Sequence, residues 1–207
     1  KGTVNSFYIG FVSTFLATAL GTVAALGLSR PHMPFKGLIM AILISPMIVP
    51  LIITAAGMFF FYSKLGLTHS YTGLILAHTA LGTPFVVITV TATLTGFDNN
   101  LIRASQSLGA DTMRTFFKVI MPLILPGVIS GALFAFITSF DEVVVVLFVG
   151  SVEQVTIPRQ MWAGLRQEIS PVILCMATCL VALSIALLTT VELLRRRSER
   201  LRGIKHR

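Results

Sequence analysis

The sequence predicts an all-α membrane protein, and its composition and its long apolar stretches are the two observations that predict it. Hydrophobic residues make up 55% of the chain and charged residues only 12%, whereas a soluble domain is about 25% charged. Five apolar stretches are each long enough, at roughly 20 residues, for a helix to cross the ~30 Å hydrocarbon core of a bilayer. They must be helices, because an open sheet edge is not tolerated in lipid.

The first two predicted spans differ in regularity. The first, residues 7–28, is rich in glycine, alanine, serine and threonine, which favours close contact with neighbouring helices. The second covers about residues 37–62 and contains Pro46 and Pro50. Because a proline inside a helix removes a backbone donor and clashes with the preceding turn, we expect this span to be kinked or locally unwound.

The other three predicted spans are residues 73–96, 122–149 and 171–194. His78 lies near the outer end of the third span, where we expect a hydrogen-bonded structural histidine rather than a ligand. Cys175 and Cys179 lie one helical turn apart in the fifth span. Two thiols do not complete a zinc site, so we expect them to be reduced packing residues.

Lysine and arginine set the orientation, because they are enriched in cytoplasmic loops. With the C-terminus inside, twelve basic residues face the cytoplasm, including those of a basic tail over residues 195–207. Only Lys1, Lys64, Arg159 and Arg166 then face outward. The sequence therefore predicts an external start and a cytoplasmic C-terminus, and an odd number of spans with this start fits one further span before Lys1.

No pattern for enzymatic chemistry occurs in the chain. The motifs GxxxxGK[ST], GxSxG and HExxH are all absent, so we expect no catalytic residues, metal or cofactor here, and no ATP bound by a P-loop of this chain. The formal net charge of +8 does not point to nucleic acid. Much of it lies in the basic tail beside an apolar run, where it acts as a topology signal and contacts anionic lipid.

One cytoplasmic segment, about residues 97–121, mixes charged with apolar residues and predicts two short amphipathic helices. Asp98 is placed to cap a helix over residues 99–108, and Gly109 stands where a left-handed residue ends a helix. Asp111 is placed to cap a second helix from Thr112 onward. Two apolar stripes result: Leu101, Ala104, Ser105 and Leu108, and then Met113, Phe116, Phe117 and Ile120. A helix pair resting on the membrane surface and a docking element for a soluble partner both fit this pattern.

This segment resembles the coupling loop of ABC importer permeases, roughly E-A-A-x-x-x-G followed, after a spacer, by two exit prolines. Ala104 matches the first alanine and Gly109 the glycine, whereas Arg103 and Ser105 replace the glutamate and the second alanine. The exit prolines are Pro122 and Pro126. The resemblance implies a coupling helix seated in a cleft of an ATPase subunit. The residues to which it assigns this role are Arg103, Ala104, Ser105, Leu108, Gly109, Ala110 and Asp111.

The stretches FITSFDEVVVVLFVG and TIPRQMWAGLRQEISP are similar to permeases of the spermidine/putrescine type, in particular to their second permease subunit. The resemblance implies one permease domain over residues 1–207 with the type I importer fold, having five spans here and six in a full subunit. It also implies a multi-pass protein of the bacterial inner membrane. The implied partners are a second permease subunit in a heterodimer, a periplasmic binding protein, and two ATPase subunits that carry ATP and Mg²⁺.

Two acids, Asp141 and Glu142, fall within the predicted fourth span. Acids at membrane depth usually face a bundle interior or a watery cavity, so they are candidates for attracting a cationic substrate. The alternative is a structural pair bonded to Thr138, Ser139 or the backbone at an unwound turn. Phe140 offers a cation–π face, and Thr138 a hydroxyl, for the same path. Which of the two acids lines that path is left open by the sequence.

Residues 156–169 predict an amphipathic helix at the outer membrane interface. Pro158 suits its first turn, Met161, Leu165 and Ile169 share one face, and Trp162 lies beside them. A membrane-surface lid and an outer gate formed by Trp162 and Met161, which contacts a substrate-delivery protein, both fit. The two interpretations are compatible.

The predicted function is therefore half of the translocation path of an ATP-driven importer for a small cation such as a polyamine. The alternatives are import of another small amine or amino-acid derivative, an ion-coupled secondary carrier, and a membrane scaffold without transport. An ion-coupled carrier does not need the glycine-broken cytoplasmic segment, so that segment favours energy supplied by an ATPase on another chain.

Overall fold

The computed structural model describes residues 1–30, 32–98, 100–167 and 171–201, and the regular elements in these ranges are all helical. The helices are α1 Gly2–Leu28, α2 Lys36–Ile48, α3 Leu51–Leu65, α4 Tyr71–Thr95, α5 Asn100–Ser107, α6 Thr112–Thr115, α7 Met121–Phe140, α8 Val144–Val149, α9 Ile157–Gln167 and α10 Pro171–Leu201. A π-helical turn, Phe116–Ile120, joins α6 to α7. The all-α prediction is confirmed.

Helices α1, α4 and α7 pack against one another and form the centre of the molecule. In the described ranges, three helices are long and apolar enough to cross a membrane: Gly2–Leu28, Tyr71–Thr95 and the continuous stretch Thr112–Phe140. Glycines allow their close approach. A Cβ on Gly21 would lie 2.7 Å from Val86 Cβ, and one on Gly82 would lie 3.0 Å from Ala135 Cβ. The close contact predicted from the small residues of the first span is present.

The predicted second span is a bent pair of helices. Helices α2 and α3 meet at 105°, and the pair counts as a fourth span if it crosses as one unit. Pro46 lies inside α2, Val49 is extended with ψ 135°, and Pro50 precedes the first residue of α3. The predicted kink is confirmed, and it lies at the second of the two prolines.

The predicted fourth span is not one continuous helix over residues 122–149, so that prediction was wrong. Helix α7 ends at Phe140, residues 141–143 form a break, and α8 begins at Val144. The physical reason is that the Glu142 carboxylate accepts hydrogen bonds from the backbone N–H groups of Val145 and Val146. A side chain that caps α8 in this way sets a new helix start.

The two ends of the helix bundle are formed by different elements. At one end, Asn5 Nδ2 donates to the carbonyls of Glu153 and Val155, and the Tyr71 hydroxyl donates to Asn5 Oδ1. The starts of α1 and α4 and the loop before α9 therefore lie together. The segment from α5 to α6 lies at the other end, where α4 finishes and α7 begins. Residue 1 and the segment 97–121 therefore lie at opposite ends of the bundle.

Helix α9 corresponds to the predicted amphipathic helix over residues 156–169, of which Glu168 and Ile169 lie outside the described residues. Helix α10 contains the predicted fifth span and packs on α7 and α9. Its described apolar run, Leu174–Thr190, is shorter than the three long spans. Cys175 and Cys179 are free and exposed on it, so the packing role predicted for them is not seen within this chain. Residues 202–207 of the predicted basic tail lie outside the described residues, as does Asn99.

Candidate functional site

A cavity of about 600 Å³ lies where the bend between α2 and α3 faces α4 and the end of α7. Residues 46–51 of the bend form one wall, and Ile137, Thr138, Asp141 and Glu142 form another. Most of the lining is apolar, so the polar groups of α7 stand out. The prolines of the bend and the break after α7 both border the cavity, which places irregular backbone next to an internal space.

The two adjacent acids have different surroundings. Asp141 is exposed and lines the cavity. The Glu142 side chain is only 3% exposed. Both of its oxygens lie 2.9 Å from the Val145 nitrogen, and Oε2 lies 3.3 Å from the Val146 nitrogen. Glu142 thus has the backbone contacts that the structural alternative described, whereas Asp141 has the free carboxylate that a cation would contact.

The two other residues predicted for this path lie apart. Thr138 is half-buried and lines the cavity next to Asp141. Phe140 is buried in an aromatic cluster, with ring centroids 5.1 Å from Phe7 and 5.3 Å from Phe136. It is not among the cavity-lining residues. The cation–π contact suggested for Phe140 therefore lacks an approach from the cavity in this structure.

His78 belongs to a buried hydrogen-bonded network, in line with its predicted structural role. Its Nδ1 lies 2.7 Å from Ser139 Oγ, and Ser139 Oγ lies 3.0 Å from Ser13 Oγ. Its Nε2 lies 3.8 Å from Glu142 Oε2. In the sequence, each of these polar residues stands out only because it interrupts an apolar run. Their meeting was missed because it depends on how α1, α4 and α7 pack.

The segment over residues 97–121 has the predicted caps. The Asn100 nitrogen donates to Asp98 Oδ1 at 2.9 Å, and the Arg114 nitrogen donates to Asp111 Oδ1 at 2.7 Å. Gly109 has φ +81°, the left-handed conformation expected of a residue that ends a helix. The first predicted short helix and the break at Gly109 are therefore confirmed, whereas the second predicted short helix is the first part of the continuous helical stretch Thr112–Phe140.

A buried side-chain hydrogen bond joins α5 to α6. Ser105 Oγ lies 2.7 Å from Thr115 Oγ1, and both side chains are buried. The Ala110 nitrogen donates to the Ser105 carbonyl, and Ala110 is half-buried. Arg103 and Ala104 are exposed. The segment thus forms a small unit, which the π-helical turn joins to α7 without a gap.

The apolar stripes of this segment are largely uncovered. Leu108 is 88% exposed and Met113 64% exposed, and Leu101 and Phe117 are also exposed. Only part of each predicted stripe packs against the rest of the chain: Ser105 is buried, whereas Leu101 and Leu108 of the same stripe are exposed. Leu101 and Leu108 lie before the candidate span Thr112–Phe140, whereas Met113 and Phe117 lie in its first two turns. Exposed large apolar side chains outside a span, as at Leu101 and Leu108, are typical of an interaction site.

At the opposite end, Met161 and Trp162 differ. Met161 is half-buried and packs on the cluster formed by Phe136, Phe140 and Ile157. Trp162 is 46% exposed. Pro158 is buried in the first turn of α9, as predicted. Within the described ranges, no three side chains of His, Cys, Asp or Glu are grouped so that they could hold a metal ion.

The sequence matches known transport proteins over most of its length. A family model described as "Binding-protein-dependent transport system inner membrane component" matches residues 17–200. The spermidine/putrescine transport system permease protein PotC of Haemophilus influenzae is 31% identical over 96% of this chain and 77% of its own length. PotC of Escherichia coli K12 is 31% identical over 93% of this chain and 73% of its length. The putrescine transport system permease protein PotI of E. coli K12 is 28% identical over 85% of this chain and 65% of its length.

Solved structures of transporters share the fold. An inward-facing MetNI methionine ABC transporter has a TM-score of 0.67 at 22% identity, covering 99% of this chain and 95% of the matched chain. An amino acid ABC transporter has a TM-score of 0.68 at 18% identity, covering 95% and 92%. At these identities the likeness establishes the helix arrangement and nothing about the solute.

Proposed function

The chain belongs to the family of binding-protein-dependent transport system inner membrane components, and from this premise we propose that it forms half of a path for a small organic cation such as a polyamine. It is a permease subunit of an ABC importer with the type I fold. It is a transport component of the inner membrane and not an enzyme, because ATP hydrolysis in such importers belongs to partner ATPase subunits. ATP and Mg²⁺ would accordingly be bound by those partners.

The observation that carries the proposal is the exposed Asp141 in a cavity of about 600 Å³ with mostly apolar walls. That volume lies in the usual range for small-molecule sites. A carboxylate in surroundings of low dielectric attracts an ammonium group more strongly than it would in water. Thr138 lies beside it and offers a hydroxyl oxygen as a further acceptor, so the pair suits a protonated amine.

The relatives support the same class of solute. The two PotC proteins are named as permeases for spermidine and putrescine, and PotI as a permease for putrescine. All of these solutes are amines that carry positive charge at neutral pH. Asp141 and the PotC relatives therefore point to one solute class from independent directions.

We infer that the energy for transport enters through α5, Gly109 and α6. The exposed Leu108 and Met113 offer apolar contacts for a cleft of an ATPase subunit, and Arg103 offers a charged one. The Ser105–Thr115 hydrogen bond makes the two helices move together. The π-helical turn runs directly into α7. A displacement of this segment by the ATPase would therefore move α7, whose last residue directly precedes Asp141.

The orientation follows from the same arrangement. With the coupling segment in the cytoplasm, the C-terminus after α10 is also cytoplasmic, and Trp162 of α9 lies at the outer surface. Trp162 is exposed there, so a binding protein that delivers the solute would have access to it, while Met161 anchors α9 to α7. A second permease subunit and two ATPase subunits complete the proposed assembly.

Two alternatives are set aside. Because the chain belongs to this family of transport components, the alternatives of an ion-coupled carrier and of a scaffold without transport are not retained. Import of another small amine or amino-acid derivative is separated from polyamine import by the experiment below.

The test is ATP hydrolysis by the purified complex of this chain with its partner subunits, reconstituted in lipid. We expect the chain to co-purify with an ATPase, and putrescine-loaded binding protein to stimulate hydrolysis several-fold over the unloaded protein. Stimulation by a neutral amino acid alone would contradict the polyamine assignment. Failure to co-purify with any ATPase would contradict the coupling role.

A further inference from the structure

A chain of buried polar side chains crosses three helices and ends at Glu142. Ser13 of α1, His78 of α4 and Ser139 of α7 are each no more than 7% exposed. Ser13 Oγ lies 3.0 Å from Ser139 Oγ, and Ser139 Oγ lies 2.7 Å from His78 Nδ1. The network therefore fixes the imidazole ring from one side, with the other ring nitrogen directed at Glu142.

The imidazole nitrogen Nε2 of His78 faces the carboxylate of Glu142. Among the described residues Nε2 is buried and has no hydrogen-bond partner, and Glu142 Oε2, at 3.8 Å, is the acidic oxygen that faces it. A buried polar atom without a partner is costly, especially where water is excluded. At 3.8 Å the two atoms are within ion-pair range but beyond hydrogen-bond range, so Glu142 is the acidic partner available to this buried nitrogen.

Glu142 borders the same cavity as Asp141, but its side chain is only 3% exposed and its carboxylate is directed at the start of α8. Its carboxylate oxygens accept from the backbone of Val145 and Val146 at the start of α8, and His78 lies on the other side. Asp141, the preceding residue, has no such contacts and is exposed in the cavity. The same two-residue stretch thus contains one acid committed to the fold and one available to a solute.

We propose that His78 is a positioning residue of the path: it holds Glu142 against α8, so that Asp141 is the carboxylate that this chain presents to the substrate. This inference rests on the proposed function and deepens it, because it assigns a single negative charge to this subunit's part of the site. The matching ligand chemistry is one ammonium group bound at Asp141.

The first experiment measures the kinetics of putrescine uptake by the complete transporter in proteoliposomes. Asp141→Asn should raise KM at least tenfold, since it removes a charge-assisted contact. Glu142→Gln should leave KM within about twofold and act on kcat or stability instead. The control is Glu153→Gln, which removes an exposed carboxylate in the outer loop. A rise in KM for Glu142→Gln equal to that for Asp141→Asn would overturn the inference.

The second experiment measures Tm of the purified complex without substrate in a double-mutant cycle of His78→Leu and Glu142→Gln. Each single change should lower Tm by about 3 °C or more. The Tm of the double variant should be no lower than that of the less stable single variant. His69→Asn is the control, because His69 is exposed and has φ +59°, which asparagine tolerates. If the two changes are additive, His78 does not position Glu142.

The two experiments separate this inference from the function on which it rests. A wild-type complex that takes up no putrescine would contradict the polyamine assignment, while the Tm cycle would still decide whether His78 and Glu142 act together. If His78→Leu does not assemble, His78→Gln replaces it, because an amide retains both a donor and an acceptor. His78→Gln should then recover part of the coupling, and the absence of any coupling would overturn the proposal.

Discussion

Adjacent residues in this chain have sharply different roles, as Asp141 and Glu142 illustrate. One carboxylate is exposed in the cavity, and the other is buried among backbone N–H groups and His78. Because both side chains are acidic, the sequence alone did not indicate which of them lines the cavity. The difference arises because α7 ends at Phe140, and a helix end places successive side chains in unrelated surroundings.

Gly109 is the residue on which the geometry of the cytoplasmic segment most depends. Its φ of +81° costs a residue with a side chain about 1–2 kcal/mol, and proline, with φ fixed near −65°, does not adopt it. We expect Gly109→Ala to reduce transport several-fold and Gly109→Pro to abolish it, with membrane insertion unchanged. Uptake and the amount of protein in the membrane are the two measurements.

The matched control for Gly109 is Gly96→Ala. Gly96 has φ −92° and no atom within 4 Å of an added Cβ, so alanine is accommodated there. Transport by Gly96→Ala should be close to wild type. Wild-type transport by Gly109→Pro would remove this residue from the coupling role.

Leu108 provides a test of the apolar contact with the ATPase. It is 88% exposed, so Leu108→Glu should leave the fold of this chain nearly unchanged, within about 0.5 kcal/mol. In an apolar cleft the new charge would be desolvated without a partner, so we expect at least a tenfold loss of binding-protein-stimulated ATP hydrolysis. Leu108→Met, which keeps an apolar side chain, should retain most of the stimulation. Full stimulation with Leu108→Glu would place the contact elsewhere.

At the scale of elements, the molecule combines a closely packed centre of three helices with two helix pairs that are bent or broken. Helices α1, α4 and α7 approach closely through glycines, whereas the α2–α3 pair bends by 105° and the α7–α8 pair is broken at residues 141–143. Both interruptions border the cavity. The cavity is thus bordered by closely packed helices on one side and by irregular backbone on the other.

Glycine at position 131 is predicted to be essential for the contact between α4 and α7. A Cβ there would lie 2.8 Å from Val86 Cα and would also clash with Thr89 Oγ1, and a backbone atom cannot move away cheaply. Gly131→Ala should therefore destabilise the complex by roughly 1–3 kcal/mol. Gly57→Ala is the control, since nothing lies within 4 Å of its added Cβ. It should be neutral or stabilising by about 0.5–1 kcal/mol.

The measurement is Tm of the purified complex for the two variants. A lower Tm for Gly131→Ala together with an unchanged or higher Tm for Gly57→Ala is the expected outcome. Equal Tm values for both would mean that the close approach of α4 and α7 is not needed for stability.

Local signals in the sequence were sufficient for some elements and not for others. Asp98, Gly109 and Asp111 act within a few residues of themselves, and Pro50 acts on its own helix, so the short cytoplasmic helices and the bend were predicted. The break after Phe140 was raised only as an alternative, because whether Glu142 bonds to the backbone of Val145 or faces a cavity depends on packing between helices. The exposure of Leu108 and of Cys175 depends on partners and lipid, which a single sequence does not encode.

At the scale of the whole molecule, the cavity and the coupling segment lie on one continuous helical route. The unit that contains Gly109 leads through the π-helical turn and α7 to Asp141. The opposite end is fixed by Asn5, which ties α1 to the loop before α9. In the proposed mechanism, motion of the segment around Gly109 would reach Asp141 through α7, while the hydrogen bonds of Asn5 hold the opposite end.

The most direct test of this account is ATP-dependent uptake of labelled putrescine into proteoliposomes that contain the complete transporter and its binding protein. The account predicts saturable uptake that requires ATP, a loss of at least tenfold at low putrescine concentration for Asp141→Asn, and wild-type uptake for Glu153→Gln. Uptake by Asp141→Asn equal to that of the wild type would contradict a path through this cavity.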